Sequence, residues 1–160
     1  MKRSRLGRLL VLPLLLVLLS CTAPEPVPTD PATDLLVQIN AYREARGLPV
    51  VKRSPSLEAV AATHNADMAA RSYFAHVAPD GRSLRDRLET QGYAFRFAAE
   101  NLASGQRTPR EVLQAWQESP GHDANLLTPR VTEAGIAFSG NAGGTQNGLL
   151  WTLVLAAPLD

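Results

Sequence analysis

The order of hydrophobic patterns along the chain predicts an α+β domain with helices on both faces of a small antiparallel sheet. Residues 33–127 carry several stretches of apolar side chains at the three-to-four-residue spacing of amphipathic helices. Residues 135–138 and 149–155 instead have the composition of strands, and a loop rich in glycine and asparagine joins them. The second strand, Leu-Leu-Trp-Thr-Leu-Val-Leu, is apolar on both faces, so we expect both faces to be buried.

The boundaries of the helices follow from capping signals. Four helices are expected, and they begin near Thr33, Pro55, Ser83 and Pro109. The last start is the clearest, because Thr108 and Glu111 form a capping-box pattern around a proline that suits the first helical position. A final helical turn over residues 122–127 and an extended segment over residues 95–99 complete the expected elements.

The N-terminus predicts export and lipid attachment. Four basic residues precede an apolar stretch at residues 9–19, which is shorter than the roughly 20 residues that a membrane-spanning helix needs. The stretch ends in Leu-Leu-Ser before Cys21, a sequence that resembles the lipobox of bacterial lipoproteins. We expect residues 1–20 to be a signal peptide and Cys21, the only cysteine, to carry diacylglycerol and a further acyl chain such as palmitate. The alternative is an ordinary signal peptide followed by an incidental cysteine.

The segment after Cys21 predicts a tether followed by one folded domain. Residues 21–32 contain four prolines and almost no bulky side chains, the composition of an extended, semi-rigid linker. We therefore place the folded domain at residues 33–160 and expect a monomer held on the extracytoplasmic side of a membrane. Without the signal peptide, 12 basic and 15 acidic residues remain, with no basic cluster, so we expect no nucleic-acid partner.

Three short segments are richer in polar and titratable residues than core packing requires. Their sequences are HVAPDG from His76, ENLA from Glu100, and WQESPGHDANLL from Trp116. In this order, followed by a Gly-Ile-Ala strand and a terminal tryptophan strand, they resemble the bacterial branch of the CAP superfamily (cysteine-rich secretory proteins, antigen 5 and pathogenesis-related 1). The resemblance to these SCP domains covers residues 35–157 and implies a three-layer α-β-α sandwich.

The same resemblance implies a pocket at His76, Glu100 and His122, with Asn101 and Ser119 beside them. Two imidazoles and a carboxylate form a suitable ligand set for zinc or another divalent metal with an open coordination position. They also suit a general base in which Glu100 orients a histidine, or a hydrogen-bond network that only ties two loops together. Eukaryotic members usually carry a second glutamate where this chain has Ser119, which disfavours a mechanism that needs two carboxylates.

Several other residues are interpreted as structural. His64 lies on the apolar stripe of the second helix and is expected in the core, as are Trp116 and Trp151. Arg87 is expected to be solvated or ion-paired, without a role in binding. Within the pocket, Asn101 is interpreted as backbone support and Ser119 as a helix cap, with a Ser119–His122–Glu100 triad as the alternative.

Two functions remain open from the sequence. The first is a binding module that presents a pocket for a lipid, a cell-wall fragment or a divalent metal at the cell envelope. The second is a hydrolase that acts on envelope polymers or peptides through a metal or a general base, with Glu100, His76 and His122 as its catalytic groups. Binding is the preferred hypothesis, because the pocket lacks a second carboxylate and a convincing nucleophile.

Overall fold

The computed structural model describes residues 30–140 and 148–159. The predicted signal peptide, Cys21 and most of the tether lie outside the described residues, as does the centre of the glycine-rich loop. The described elements, in chain order, are α1 (Pro31–Glu44), β1 (Lys52–Arg53), α2 (Pro55–Ala70), α3 (Leu84–Thr90), β2 (Phe95–Ser104), α4 (Pro109–Gln117), α5 (Pro120–Leu126), β3 (Glu133–Gly140) and β4 (Leu149–Pro158). None of the helices in this part of the chain has the length and apolar character of a membrane span.

The four strands form one sheet in the order β1-β3-β4-β2. The three long strands pair with one another in antiparallel fashion, as expected. The short β1 differs, because it pairs with β3 in parallel. The chain between β1 and β3 crosses the sheet through helices before it returns in the same direction, and such a connection makes a parallel pair. The sheet is therefore mixed, and the predicted α+β class is confirmed.

Helices cover both faces of the sheet and make three layers. Alternate side chains of β4 enter opposite cores, as the two-sided apolar pattern predicted. Leu153 packs in the core that contains α1 and α4, whereas Val154 packs in the core that contains α2 and α3. Trp116 and Trp151 are both buried in the first of these cores, which confirms their expected packing role.

A close contact fixes α2 against β3. A Cβ atom on Gly135 would lie 2.1 Å from the carbonyl carbon of Leu57, so only glycine allows the helix backbone to approach this strand. His64 lies two helical turns after Leu57 on α2, so the same contact sets the distance between His64 and the sheet.

Several element boundaries differ from the sequence expectation, and two of the differences have a direct cause in the structure. α1 begins at Pro31 rather than near Thr33, because the Asp30 carboxylate accepts hydrogen bonds from the Thr33 N–H and hydroxyl at 3.2 Å each. β2 continues to Ser104, five residues beyond its expected end, because it pairs with β4 along its length. Long-range pairing thus places Glu100 and Asn101 on a strand.

Candidate functional site

The site is organised around the carboxylate of Glu100, which is buried on β2. Its Oε1 atom lies 2.8 Å from His76 Nδ1, and its Oε2 atom accepts a hydrogen bond from Arg87 Nη2 at 2.6 Å. An ionised carboxylate can only accept hydrogen bonds, so Nδ1 of His76 carries the proton. A neutral His76 therefore presents an unprotonated Nε2 on a side chain that is 55% exposed.

Arg87 is the site residue that the sequence analysis missed. It is buried on α3, where it pairs with Glu100 and also donates from Nη1 to the backbone carbonyl of His76 at 3.0 Å. One guanidinium thus holds both the carboxylate and the loop that carries the histidine. The sequence did indicate that Arg87 is buried, because Leu84, Arg87 and Leu88 have the spacing of side chains on one inward face of a helix.

His64 is buried as expected, but it lies beside the site rather than away from it. Its Nε2 atom is 3.0 Å from the carbonyl oxygen of Ala75 and 4.0 Å from Glu100 Oε1. The carbonyl can only accept, so Nε2 carries the proton and supports the loop just before His76. Burial lowers the pKa of His64, an effect that the neighbouring Glu100 partly opposes, and the imidazole is neutral near pH 7.

His122 is positioned by asparagines on β2 and α5. Asn101 donates from Nδ2 to the His122 carbonyl at 3.0 Å, and its Oδ1 accepts from Asn125 Nδ2 at 2.9 Å. Asn101 therefore has the supporting role that the sequence suggested. The pKa of the His122 imidazole is lowered first by burial and then by the charge of His76.

The possible triad is not assembled in this structure. Glu100 directs its carboxylate to His76 and Arg87 rather than to His122. Ser119 occupies the N-cap position of α5 with an extended backbone, but the expected hydrogen bond from its side chain to the helix is absent. The hydroxyl of Ser119 is thus not used as a cap, and the residue lines a groove.

This groove has a volume of about 320 Å³ and runs beside His122. Its walls come from β2, α4, the start of α5 and the loop before His76. The lining residues are Phe74, Leu102, Ala103, Ser104, Gln106, Ala115, Trp116, Ser119 and His122. The surface is mostly apolar with a few polar groups, the usual composition of a site for small ligands.

The geometry does not test the metal expectation. Among the residues that the structure describes, no group of three or more histidine, cysteine, aspartate and glutamate side chains is arranged to hold an ion. Both oxygens of Glu100 already have partners, so the remaining candidate ligands are His76 Nε2 and the His122 imidazole. Zinc binding therefore stays a prediction.

The three-layer fold with a histidine and glutamate site defines a CAP domain, also called an SCP domain. The chain belongs to the cysteine-rich secretory protein (CAP) family, whose family model matches residues 36–155. Two Bacillus subtilis proteins are similar in sequence: YkwD is 34% identical over 71% of this chain, and the membrane protein YlbC is 31% identical over 69%. The matches span 42% and 32% of these relatives, so this chain accounts for less than half of either.

Solved structures agree with this family. An extracellular protein of Bacillus anthracis that contains an SCP domain superposes with a TM-score of 0.69 at 28% identity, over 79% of this chain and 40% of that one. An outer surface protein of Borrelia burgdorferi superposes with a TM-score of 0.71 at 21% identity, over 79% of this chain and 92% of that one. Because the Borrelia burgdorferi protein is only 21% identical, its similarity to this chain shows a shared fold alone.

Proposed function

We propose that the protein is an exported, lipid-anchored CAP domain that binds a small ligand from the cell envelope in the groove beside His122. The observation that carries this proposal is the lining of the groove, where apolar walls from Phe74 and Trp116 meet polar groups from Ser119 and His122. Its volume of about 320 Å³ lies at the lower end of the range typical of small-molecule sites. His76, two residues after the lining residue Phe74, is held in one orientation by the buried Glu100.

Export and anchoring rest on the N-terminal sequence and on one relative. Cys21 ends a lipobox-like sequence, and the similar Bacillus anthracis protein is described as extracellular. Labelled palmitate should be incorporated into the wild-type protein, and Cys21→Ser should lose the label and accumulate as uncleaved precursor. An unlabelled wild type, or equal labelling of both proteins, would refute the anchor.

Filling the groove tests the binding site itself. Ala115 lines the groove on α4, so Ala115→Leu should displace a ligand that the wild type retains after incubation with envelope extract. Native mass spectrometry measures the bound mass, and the matched control is Ala70→Leu at the exposed end of α2. A bound species retained equally by all three proteins would place the ligand outside the groove.

A hydrolase is the second candidate, and one observation favours it. Glu100 orients His76 through Nδ1, which leaves Nε2 free to accept a proton as a general base would. Turnover of ester, peptide or peptidoglycan substrates should then disappear in Glu100→Gln. If envelope substrates are not turned over by the wild type, binding remains the better account.

A further inference from the structure

Strand β2 lies at the edge of the sheet, so half of its peptide groups point away from β4. The Gly105 N–H donates to the Leu149 carbonyl on the β4 side at 3.0 Å. Backbone groups alternate in direction along a strand, so beyond the register shift near Phe97 the N–H and carbonyl groups of the even-numbered residues of β2 point away from β4. Two of their carbonyls accept side-chain hydrogen bonds from the outer helices: Glu100 from Asn125 at 3.3 Å and Leu102 from Trp116 at 3.0 Å.

Ser104 is the next residue whose backbone N–H and carbonyl point away from β4. Among the described residues, neither its N–H nor its carbonyl has a hydrogen-bond partner on the outer side. Ser104 lines the groove, as does Gln106, whose side-chain oxygen is buried and lacks a partner within the same part of the chain. Beside apolar walls the groove thus has one unpaired backbone donor and one unpaired backbone acceptor at Ser104, with the buried, unpaired Gln106 oxygen within its wall.

From these unpaired groups we infer that the groove binds an extended peptide, which adds as a short strand to the edge of β2 at Ser104. The inference rests on the proposed binding function and names its ligand class. In an extended peptide, the N–H and the carbonyl of one residue point to the same side. They can therefore pair with the carbonyl and the N–H of Ser104. A hydrocarbon chain would leave both backbone groups of Ser104 unpaired, which is unfavourable once water is excluded.

The same edge limits the length of the added strand. Trp116 and Asn125 already occupy the outward carbonyls of Leu102 and Glu100, so the added peptide cannot pair beyond Leu102. The groove of about 320 Å³ therefore has room for only a short segment of extended peptide. The exposed Phe74 side chain is then placed to contact a side chain of the peptide.

The proline substitution at Ser104 tests this pairing directly. Because the Ser104 N–H points away from β4, Ser104→Pro removes the outward donor and leaves the ladder between the two strands intact. Ser104→Ala is the matched control, since it keeps the N–H and removes only the hydroxyl. Thermal unfolding of the full-length protein in detergent would verify that both variants remain folded.

The probe is a mixture of blocked hexapeptides randomised at four positions, together with the same mixture N-methylated at alternate residues. In amide NMR spectra of the wild-type protein, the unmethylated mixture should shift the Ser104 N–H signal and the methylated mixture should not. Affinity should fall about threefold to tenfold in Ser104→Pro and stay within about twofold in Ser104→Ala, as loss of one backbone hydrogen bond predicts. No shift at Ser104, or equal binding by Ser104→Pro and wild type, would overturn the inference. If Ala115→Leu still displaced an envelope ligand in that case, groove binding would stand and only the peptide class would fail.

Discussion

Arg87 and Glu100 form an ion pair that is almost completely enclosed, with 2.6 Å between Nη2 and Oε2 and side-chain exposures of 6% and 3%. Each oxygen of the carboxylate has a partner, because His76 occupies the other one. The pair lies below the loop that carries His76 and bonds to its backbone as well. Burial makes such a pair sensitive to the loss of either member, since the remaining charge is left without compensation.

Glu100→Gln should therefore destabilise the protein strongly. We expect the free energy of unfolding to fall by about 3 kcal/mol, because Arg87 remains buried without a counter-charge. The double variant Arg87→Met with Glu100→Gln should lose less than the sum of the single losses, since it removes both charges. Urea unfolding measures these values.

The surface pair of Arg53 and Glu58 provides a matched control for that prediction. Both members are more exposed than the buried pair, so Glu58→Gln should cost less than about 1 kcal/mol. Equal losses in Glu100→Gln and Glu58→Gln would contradict the structural importance of the Arg87–Glu100 pair.

The stability of the protein should decrease in mild acid because of His64. Burial lowers the pKa of His64 below its unfolded value near ~6.5, so the unfolded chain binds more protons than the folded one as pH falls. Stability is thus fully present above about pH 6.5 and declines as pH drops toward the folded-state pKa. His64→Gln should flatten this decline in denaturation curves recorded at several pH values.

His122 is the second histidine whose replacement should change the pH dependence of stability. Its pKa is also lowered, so His122→Gln should flatten the curve as well, and the double variant should flatten it most. A decline that is unchanged in His64→Gln would mean that folding does not lower the pKa of His64.

Zinc binding, if present, should be weak and should depend on His76 and His122. Their two imidazoles are the available ligands, and Glu100 would orient His76 through Nδ1 as carboxylates orient metal-binding histidines. His76→Ala and His122→Ala should each remove most of the affinity, and Glu100→Gln should reduce it less. Affinity should fall as pH drops through about 6, because zinc needs neutral imidazole.

Calorimetric titration at two pH values measures these affinities. His64→Ala is the control: it should leave zinc affinity unchanged and lower stability, because His64 supports the Ala75 carbonyl from the core. Affinity that survives the loss of both His76 and His122, or that depends on His64, would exclude this metal site.

The folded domain should begin at Asp30. A protein that starts at Asp30 should unfold cooperatively, and Asp30→Ala in it should lose about 1 kcal/mol, because the carboxylate caps the first turn of α1. Glu44→Ala at the exposed opposite end of α1 is the control and should change stability little. Far-UV circular dichroism in urea measures both, and equal stability of the Asp30 variant and its parent would show that the cap contributes nothing.

The amino-acid sequence by itself was sufficient for the class of fold and for the starts of three helices. Periodicity and capping depend on residues a few positions apart, so α2, α3 and α4 begin within a residue of their expected starts. The two-sided apolar pattern of β4 likewise follows from the sequence, because burial of both faces requires apolar side chains at successive positions. The family resemblance named His76, Glu100 and His122 through short motifs that need no tertiary information.

Only the tertiary structure determines which of these side chains contact one another. Glu100 pairs with His76 and Arg87 rather than His122, because the α3 side chain and the loop of His76 converge on the same face of β2. The full extent of β2, and with it the open edge at Ser104, arises from pairing with β4, which lies about 50 residues later in the chain. Side-chain direction, burial and partner choice at long sequence separation depend on packing between layers, and no local pattern encodes them.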